Sequence, residues 1–304
     1  MRGATALAIS VMLAGCAAQP GPVPAAPPPT GSALAGNDIV IRELPPSPPP
    51  QMQYLYGSGE AGALSIQAFR ALLDYAQGVT ARRPTDSVVL AQGATLDAPA
   101  FAPCGDKPFA ALFDVDETLV LNLGAEYADA RHQTGFNTAR WDRWEKTGAE
   151  KVAPVPGAVF AVNALRKMGV TVIFNSNRAK DNAAFTAQAI AHAGLGKAVP
   201  GETLFLMGDD AMGSKKDGRR WTIAARYCVI AMGGDQLGDF SDLFNQVAPV
   251  PARRMAAIRG AAAQMWGHGW FVLPNPVYGS GLKGGFDDVF PIDKRWEDPG
   301  VPKE

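Results

Sequence analysis

Two aspartates, Asp114 and Asp116, follow an apolar run at 109–113 that has the length of one buried strand. Side chains alternate in direction along a strand, so both carboxylates can point the same way, and a bend after Asp114 brings them to one site. Neighbouring carboxylates raise each other's pKa, and a divalent cation such as Mg²⁺, which proteins bind through oxygen ligands, removes that cost. An isolated pair is also typical of a solvated acidic turn. The interpretation therefore depends on the rest of the chain.

Further polar groups follow predicted strands, in an order that suits phosphoryl transfer. A β-branched run from Val170 ends in polar residues, a basic cluster occupies 214–220, and the apolar run from Tyr227 ends in two spaced carboxylates. These groups are Ser176, Asn177 and Arg178, then Lys215 and Lys216, then Asp235 and Asp239. Each alone is typical of a turn, a helix cap or a solvated face. Together they lie where open α/β sheets bind ligands, at the carboxyl ends of strands, and they predict a phosphoryl-transfer site.

Alternating strands and helices are expected to position these groups. The strands are predicted near 109–114, 170–175, 203–207, 227–232 and 269–273, and the helices near 62–77, 156–168, 180–194, 217–226 and 252–265. Such alternation predicts an α/β fold with a parallel sheet and helices on both faces. The stretch 120–155, which lies between the first of these strands and the next helix, is interpreted as a small helical cap.

The N-terminal segment indicates export. Residues 1–16 contain one basic residue, a short apolar run and the sequence Leu-Ala-Gly-Cys, which predicts a lipoprotein signal peptide with Cys16 as the lipidated first residue of the mature chain. An ordinary signal cut nearby would leave Cys16 incidental. Residues 17–52 are rich in Pro and Ala and predict a disordered, extended tether, so that 53–304 forms the folded domain.

Composition excludes several other classes of function. Lys and Arg number 28 and Asp and Glu 29, for a net charge of −1, which argues against non-specific nucleic-acid binding. The three histidines, His132, His192 and His268, show no metal-ligand spacing and are interpreted as structural or solvent-facing. Zinc and thiol chemistry are likewise unsupported.

The motifs as a set resemble those of the haloacid dehalogenase superfamily of phosphohydrolases. Over 54–278 they are similar to the bacterial class C acid phosphatases, the lipoprotein e family of 5′-nucleotidases. The strings that carry this resemblance are D-V-D-E-T-L from Asp114, S-N-R from Ser176, S-K-K-D-G-R-R from Ser214, G-D-Q-L-G-D-F from Gly234 and L-P-N-P-V-Y-G from Leu273. The resemblance implies a Rossmann-like parallel sheet with a small helical cap, and a phosphatase domain over 53–304. Leu121 departs from the family pattern, in which an acid is usual at this position.

The resemblance also implies a role for each motif residue. Asp114 would be the nucleophile that forms a phospho-aspartate, and Asp116 would be the general acid and base, protonated at first. The implied Mg²⁺ ligands are Asp114, the backbone carbonyl of Asp116, and Asp235, while Asp239 would orient a metal-bound water or Lys216. The implied phosphate-binding residues are Ser176, Asn177 and Lys216, and Lys215 is the alternative lysine.

The implied substrate is a small-molecule phosphomonoester, with a nucleoside 5′-monophosphate as the leading candidate. Tyr127, Trp141, Trp144 and Tyr278 could stack a nucleobase, and of these Tyr127 and Tyr278 are the predicted substrate contacts. Alternatively, both tryptophans pack the cap against the core.

The resemblance extends to location and assembly. It implies a lipid-anchored protein of the bacterial cell envelope, at the outer membrane with its catalytic domain outside the cytoplasm, and a homodimer. An oxidising compartment would permit Cys104 and Cys228 to pair, since the implied fold places their strands side by side. Cys104 lies ten residues before Asp114, however, and Cys228 seven before Asp235, which disfavours a disulfide unless the loop folds back.

Two other classes of function stay open. A surface lipoprotein that binds haem or a nucleotide without turnover would lack a catalytic residue, and this chain retains all of them. A phosphotransferase, or a phosphatase for sugars or lipids, would share the fold, and the departure at Leu121 keeps that alternative open.

Overall fold

A parallel sheet forms the centre of this computed structural model, which describes residues 47–132 and 135–300. In chain order the strands are β1 (Asp86–Leu90), β2 (Phe101–Pro103), β3 (Phe109–Phe113), β4 (Val120–Leu121), β5 (Ala153–Pro154), β6 (Thr171–Ala179), β7 (Leu204–Met207), β8 (Cys228–Gly234) and β9 (Trp270–Val272). The central sheet has the order β7-β6-β3-β8-β9, and its neighbouring strands pair in parallel. These are the five predicted strands, so the predicted α/β fold is confirmed.

Helices alternate with the strands, as the sequence predicted. They are α1 (Pro50–Met52), α2 (Gly59–Ala81), α3 (Leu123–His132), α4 (Thr138–Thr147), α5 (Ala158–Lys167), α6 (Ala183–His192), α7 (Asp217–Arg226), α8 (Val250–Arg259) and α9 (Phe286–Val289). The longest of these, α2, begins after Ser58, whose hydroxyl accepts a hydrogen bond from the amide of Ala61 and so satisfies an otherwise unpaired donor at the helix start.

The sheet is buried on both faces, which explains why its strands are nearly continuous apolar runs. Along β3, Ala111 and Phe113 belong to a core shared with α2, α5 and α6. Ala110 and Leu112, which point the opposite way, belong to a second core that contains Ile223 of α7 and an aromatic cluster around Trp270. The carboxyl end of β3 is therefore held rigidly between two layers of helices.

The predicted cap is present as two helices above this end of the sheet. The strands β4 and β5 pair antiparallel at its base, with Leu121 opposite Ala153, and α3 and α4 lie between them in sequence. Leu121 itself is buried in the core. The unusual residue at this position therefore packs within the base of the cap.

The structure corrects the prediction for the two cysteines, because Cys104 and Cys228 form a disulfide with a Cα–Cα distance of 4.5 Å. The offset of Cys104, ten residues before Asp114, from Cys228, seven before Asp235, made this pairing unfavourable unless the loop folds back. In the structure β2 pairs antiparallel with β1, and the amide of Cys104 donates to Thr85. A turn over 105–108 then folds back to β3, so Cys104 lies beside the start of β8.

The predicted signal peptide 1–16, Cys16 and most of the tether lie outside the described residues. Within the described ranges, no helix combines the length and the hydropathy needed to cross a membrane.

Candidate active site

The polar groups that follow β3 and β8 meet at one edge of the sheet. These strands are neighbours, Phe113 is in register with Gly233, and the amide of Asp114 donates to the carbonyl of Gly233 at 3.0 Å. Asp114 and Asp235 therefore emerge side by side. Since the carboxyl ends of parallel strands share an edge, this is the position that the sequence predicted.

Asp239 joins Asp114 and Asp235 in a cluster of buried carboxylates. One oxygen from each of the three lies within 4.8 Å of the others. Asp239 reaches this position because residue 234 is glycine: a Cβ there would lie 2.3 Å from the Cβ of Asp239. Thr118 and Asn275 donate to Asp235 at 3.1 and 2.7 Å, and so fix its orientation.

The electrostatics of this cluster suit a divalent cation. Burial raises the pKa of Asp114, and the carboxylates of Asp239 and Asp235 raise it further, although Lys216 opposes them. Burial and Asp239 likewise raise the pKa of Asp235 to about 7. Three carboxylates and one ammonium group leave an excess of negative charge in a buried place, and oxygen ligands with such a charge are those that Mg²⁺ prefers. The donor set therefore fits this metal.

Lys216 is the lysine of the site. Its Nζ lies 2.5 Å from Asp114 Oδ1 and 2.7 Å from Asp239 Oδ1. Burial lowers its pKa, but the two carboxylates outweigh burial and raise it, so the ammonium form is stable. Lys215, the alternative, is exposed. Lys216 is held at the start of α7 because its amide donates to Asp242 Oδ1 at 3.0 Å.

Asp116 is paired with Arg178, whose contact the sequence did not predict. The guanidinium lies 2.8 Å from Asp116 Oδ1, and the side chains of Asn122 and Ser176 donate to the same carboxylate at 2.9 and 3.1 Å. Burial raises the pKa of Asp116, but Arg178 and these hydrogen bonds outweigh burial and lower it. The protonated form that we expected at the start of the reaction is therefore not the form that this arrangement stabilises.

Glu117 forms the turn that carries the chain from Asp116 towards the cap. Its φ of 53° lies in the left-handed region, which is rare for a residue other than glycine. The buried side chain holds the turn, since the hydroxyls of Tyr278 and Tyr56 and the amide of Asn122 donate to its carboxylate. Burial and the nearby charge of Asp116 raise the pKa of Glu117 to about 8.

The predicted phosphate-binding residues Ser176 and Asn177, near the carboxyl end of β6, are held by contacts within the protein. The hydroxyl of Ser176 donates to Asp116 and accepts from the amide of Arg178 at 3.1 Å. The side chain of Asn177 donates to the carbonyl of Ser214 and accepts from Arg219, at 2.9 and 2.6 Å. Asn177 borders the active-site cavity together with Lys216, whereas Ser176 lies beneath it.

The cavity over the carboxylate cluster has a volume of about 1370 Å³ and reaches from the sheet edge to the cap. Tyr278 borders it on the sheet side, and Trp141 and Phe136 border it on the cap side. Trp144 packs inside the cap instead, where its indole N–H donates to Asn122 at 3.2 Å. Trp144 thus has the structural role that the alternative gave to both tryptophans, whereas Trp141 borders the cavity with its ring centroid 5.8 Å from the guanidinium carbon of Arg178.

Tyr127, the other predicted substrate contact, lies outside the cavity in this structure. Its ring is 62% exposed, its hydroxyl accepts a hydrogen bond from Arg131, and it does not line the cavity. The preceding residue, Glu126, is buried and lines the cavity instead. Adjacent residues on a helix point about 100° apart, so only one of the two can face the site.

Comparison with known proteins agrees with this geometry. Residues 68–281 match the model of a family described as HAD superfamily, subfamily IIIB (acid phosphatase). The fold is similar to that of a class C acid phosphatase from Bacillus anthracis, with 22% identity, a TM-score of 0.62, and coverage of 76% of this chain and 84% of that one. A structure of a class C acid phosphatase from the same organism with tungstate bound is 19% identical, with a TM-score of 0.61 and coverage of 82% and 90%. No curated protein matches the chain.

Proposed function

The chain belongs to subfamily IIIB of the HAD superfamily, the acid phosphatases, and is a phosphomonoester hydrolase; from this premise we propose that it hydrolyses nucleoside 5′-monophosphates with Mg²⁺, through a phospho-aspartate on Asp114. The observation that carries the proposal is the buried site in which Lys216 bridges Asp114 and Asp239, beside Asp235, at the floor of one large cavity. This site offers a carboxylate nucleophile, a fixed cation and a place for a metal.

The proposed reaction proceeds in two displacements. An oxygen of Asp114 forms a bond to phosphorus while the bond from phosphorus to the leaving oxygen breaks, and Asp116 gives that oxygen a proton. A water oxygen then bonds to phosphorus, the bond from phosphorus to Asp114 breaks, and Asp116 takes the proton of the water. The donation requires protonated Asp116. The second step requires the ionised form, which the contact with Arg178 favours.

Asp114, the backbone carbonyl of Asp116, and Asp235 would hold Mg²⁺, with Asp239 close enough to orient a bound water or to serve as a further ligand. When bound, the metal would neutralise charge on the phosphoryl oxygens. Lys216 supplies a second positive charge beside Asp114, and it is already positioned by Asp239 and by the start of α7. Positioned charges of this kind stabilise the transition state more than the ground state.

The choice of a nucleotide rests on the aromatic side chains that border the cavity. Tyr278 lies on the sheet side, and Trp141 and Phe136 lie on the cap side. Aromatic rings stack on any nucleobase, because every base presents a π-face. The volume of about 1370 Å³ is ample for a nucleoside above the phosphate. We therefore propose that the nucleobase of the leaving nucleoside contacts Tyr278.

We expect Tyr278→Ala to remove most of the preference for a nucleoside 5′-monophosphate over glycerol phosphate. Stacking contributes roughly 1–3 kcal/mol per base, which corresponds to about a 10- to 100-fold difference in kcat/KM. Steady-state kinetics of both substrates measure the ratio. Tyr278→Phe is the matched control, since it keeps the ring and loses only the hydroxyl that donates to Glu117.

Equal cleavage of nucleotides and glycerol phosphate by the unaltered protein would contradict the nucleotidase proposal and leave a phosphatase of broad or other specificity. A loss of the preference in Tyr278→Phe as large as in Tyr278→Ala would assign the effect to Glu117 and not to stacking.

We also propose that Cys16 carries a lipid anchor that holds the domain at the cell envelope, outside the cytoplasm. The proposal is supported by the Leu-Ala-Gly-Cys sequence and the Pro-rich segment that follows it. The homodimer that the resemblance implies stays a prediction.

Cys16→Ser is expected to move the protein from the membrane fraction to the soluble fraction, or to stall its processing. A lipoprotein anchor carries several acyl chains and attaches a protein stably to a membrane, whereas a single acyl chain or other single signal gives only marginal attachment. A protein without the anchor is therefore expected to leave the membrane fraction. Immunoblots of fractionated cells measure the distribution. If both forms fractionate alike, Cys16 is not the anchor.

A further inference from the structure

One acidic side chain of the cavity, Glu126, lacks the partners that the other acids have. Eight carboxyl groups line the cavity, those of Asp114, Asp116, Glu126, Asp129, Asp235, Asp239, Asp242 and Asp288. Seven of them accept hydrogen bonds from side chains or backbone amides, or form ion pairs. Within the described part of the chain, no donor contacts the carboxylate of Glu126.

Glu126 as a residue is only 8% exposed, and its carboxylate oxygens are not fully enclosed, so they meet solvent where the residue lines the cavity. Burial of a carboxylate without a donor is costly, and buried polar groups in native proteins are nearly always paired. Asp129, which lies on the same helix α3, has a charged partner, since it forms an ion pair of 2.6 Å with Arg140. An acid that faces the cavity without a partner in the described protein is available to accept a hydrogen bond from a ligand.

The position of Glu126 is fixed relative to the reacting groups. Its amide donates to the carbonyl of Asn122 at 3.0 Å, and the side chain of Asn122 donates to Asp116. Glu126 thus lies one helical turn from a residue that contacts the general acid, on the cap side of the cavity. Burial and the charges of Asp129 and Asp116 raise the pKa of Glu126 to about 7, as expected where no donor stabilises the charge.

We propose that Glu126 is a specificity-determining residue that accepts hydrogen bonds from hydroxyl groups of the leaving group. The proposal deepens the proposed function, on which it rests. Carboxylates bind the hydroxyls of ribose in this way in dinucleotide-binding folds. For a nucleoside 5′-monophosphate, the donors are the 2′- and 3′-hydroxyls, which lie between the phosphate at Asp114 and the base at Tyr278. A leaving group with a carboxylate of its own is disfavoured, because the ionised form of Glu126 repels it.

The test compares adenosine 5′-monophosphate with its 2′,3′-dideoxy analogue, which lacks both hydroxyls. A hydrogen bond to a charged group changes kcat/KM by about 10- to 100-fold, and we expect the unaltered protein to prefer the ribonucleotide by that factor. Glu126→Ala should bring the ratio near one while kcat/KM for phenyl phosphate, which has no hydroxyl, stays within about 3-fold. Glu126→Gln should keep part of the preference, because its amide oxygen still accepts. Glu150→Ala, an exposed acid of the cap, is the matched control.

A second pair of substrates separates this proposal from the nucleotidase proposal. Suppose that kcat/KM is no higher for nucleotides than for glycerol phosphate, but is higher for glycerol phosphate than for propyl phosphate, and that Glu126→Ala abolishes this second difference. The nucleotidase proposal then fails and the role of Glu126 stands. If the unaltered protein cleaves the ribonucleotide and the dideoxynucleotide equally well, the role of Glu126 is refuted. An equal loss of kcat/KM on all substrates in Glu126→Ala would also refute the proposed role of Glu126, since that result indicates a structural role.

Discussion

Asp114→Asn is expected to lower kcat/KM on any phosphate monoester by at least about 10³-fold, the scale of loss when a catalytic nucleophile is removed. The amide keeps the shape of the side chain and an oxygen for Lys216, which lies 2.5 Å from Asp114 Oδ1. It lacks the charge that attacks phosphorus. Initial rates with saturating Mg²⁺ and a panel of monoesters measure the effect.

The same variant should remain folded. Burial and the surrounding carboxylates raise the pKa of Asp114, which means that its ionised form is unfavourable in the folded protein. The neutral amide removes this cost, so we expect an unfolding temperature equal to or above that of the unaltered protein. Asp74→Asn, an exposed change on α2, controls for the loss of one carboxylate. Near-normal activity in Asp114→Asn would refute the nucleophile assignment.

Removal of the divalent cation is expected to abolish turnover, and Mg²⁺ should restore it. Asp235→Asn retains the hydrogen-bonding shape but removes one negative charge from the cluster with Asp114 and Asp239. The Mg²⁺ concentration for half-maximal activity should therefore rise by at least about 10-fold. Activity against free Mg²⁺, after treatment with a chelator, measures both effects.

A second readout does not depend on catalysis. A ligand that binds only the folded state stabilises it by an amount that grows with the ratio of ligand concentration to Kd, so at one Mg²⁺ concentration the unfolding temperature of the unaltered protein should rise more than that of Asp235→Asn. Full activity in excess chelator would exclude the proposed metal role. An equal thermal shift in both forms would exclude Asp235 as a ligand.

The sheet could be predicted from the sequence because its strands are buried on both faces and must be apolar throughout. The run at 109–113 and the run from Tyr227 both have this character. The pair β1–β2 was not predicted, since β2 has three residues and too little pattern to recognise. The turn that β2 leads into decides where Cys104 lies, so the disulfide was misjudged for the same reason.

The site was predictable where a residue follows directly from a strand end, and not where it depends on the rotation of a helix or on a distant partner. Asp114, Lys216 and Asp235 were predicted because each stands next to an element whose position the sequence defines. Arg178 appears in the S-N-R string, but its contact with Asp116 joins segments 62 residues apart. On α3, polar and apolar residues alternate without a clear face, so the sequence did not distinguish Glu126 from its outward-facing neighbour.

The Cys104–Cys228 disulfide closes a segment with a sequence separation of 124 residues. Asp114, the whole cap, Ser176 and Lys216 lie within it. In the unfolded chain this segment is a covalent ring, and the chain entropy that such a ring removes stabilises the folded state by about 5 kcal/mol. The ring thus limits how far Asp114, Ser176 and Lys216 can separate in the unfolded chain, whereas Asp235 and Asp239 lie beyond it. By reducing the conformational entropy of the unfolded chain, the disulfide stabilises the fold that positions the catalytic residues, although it contacts no reacting atom.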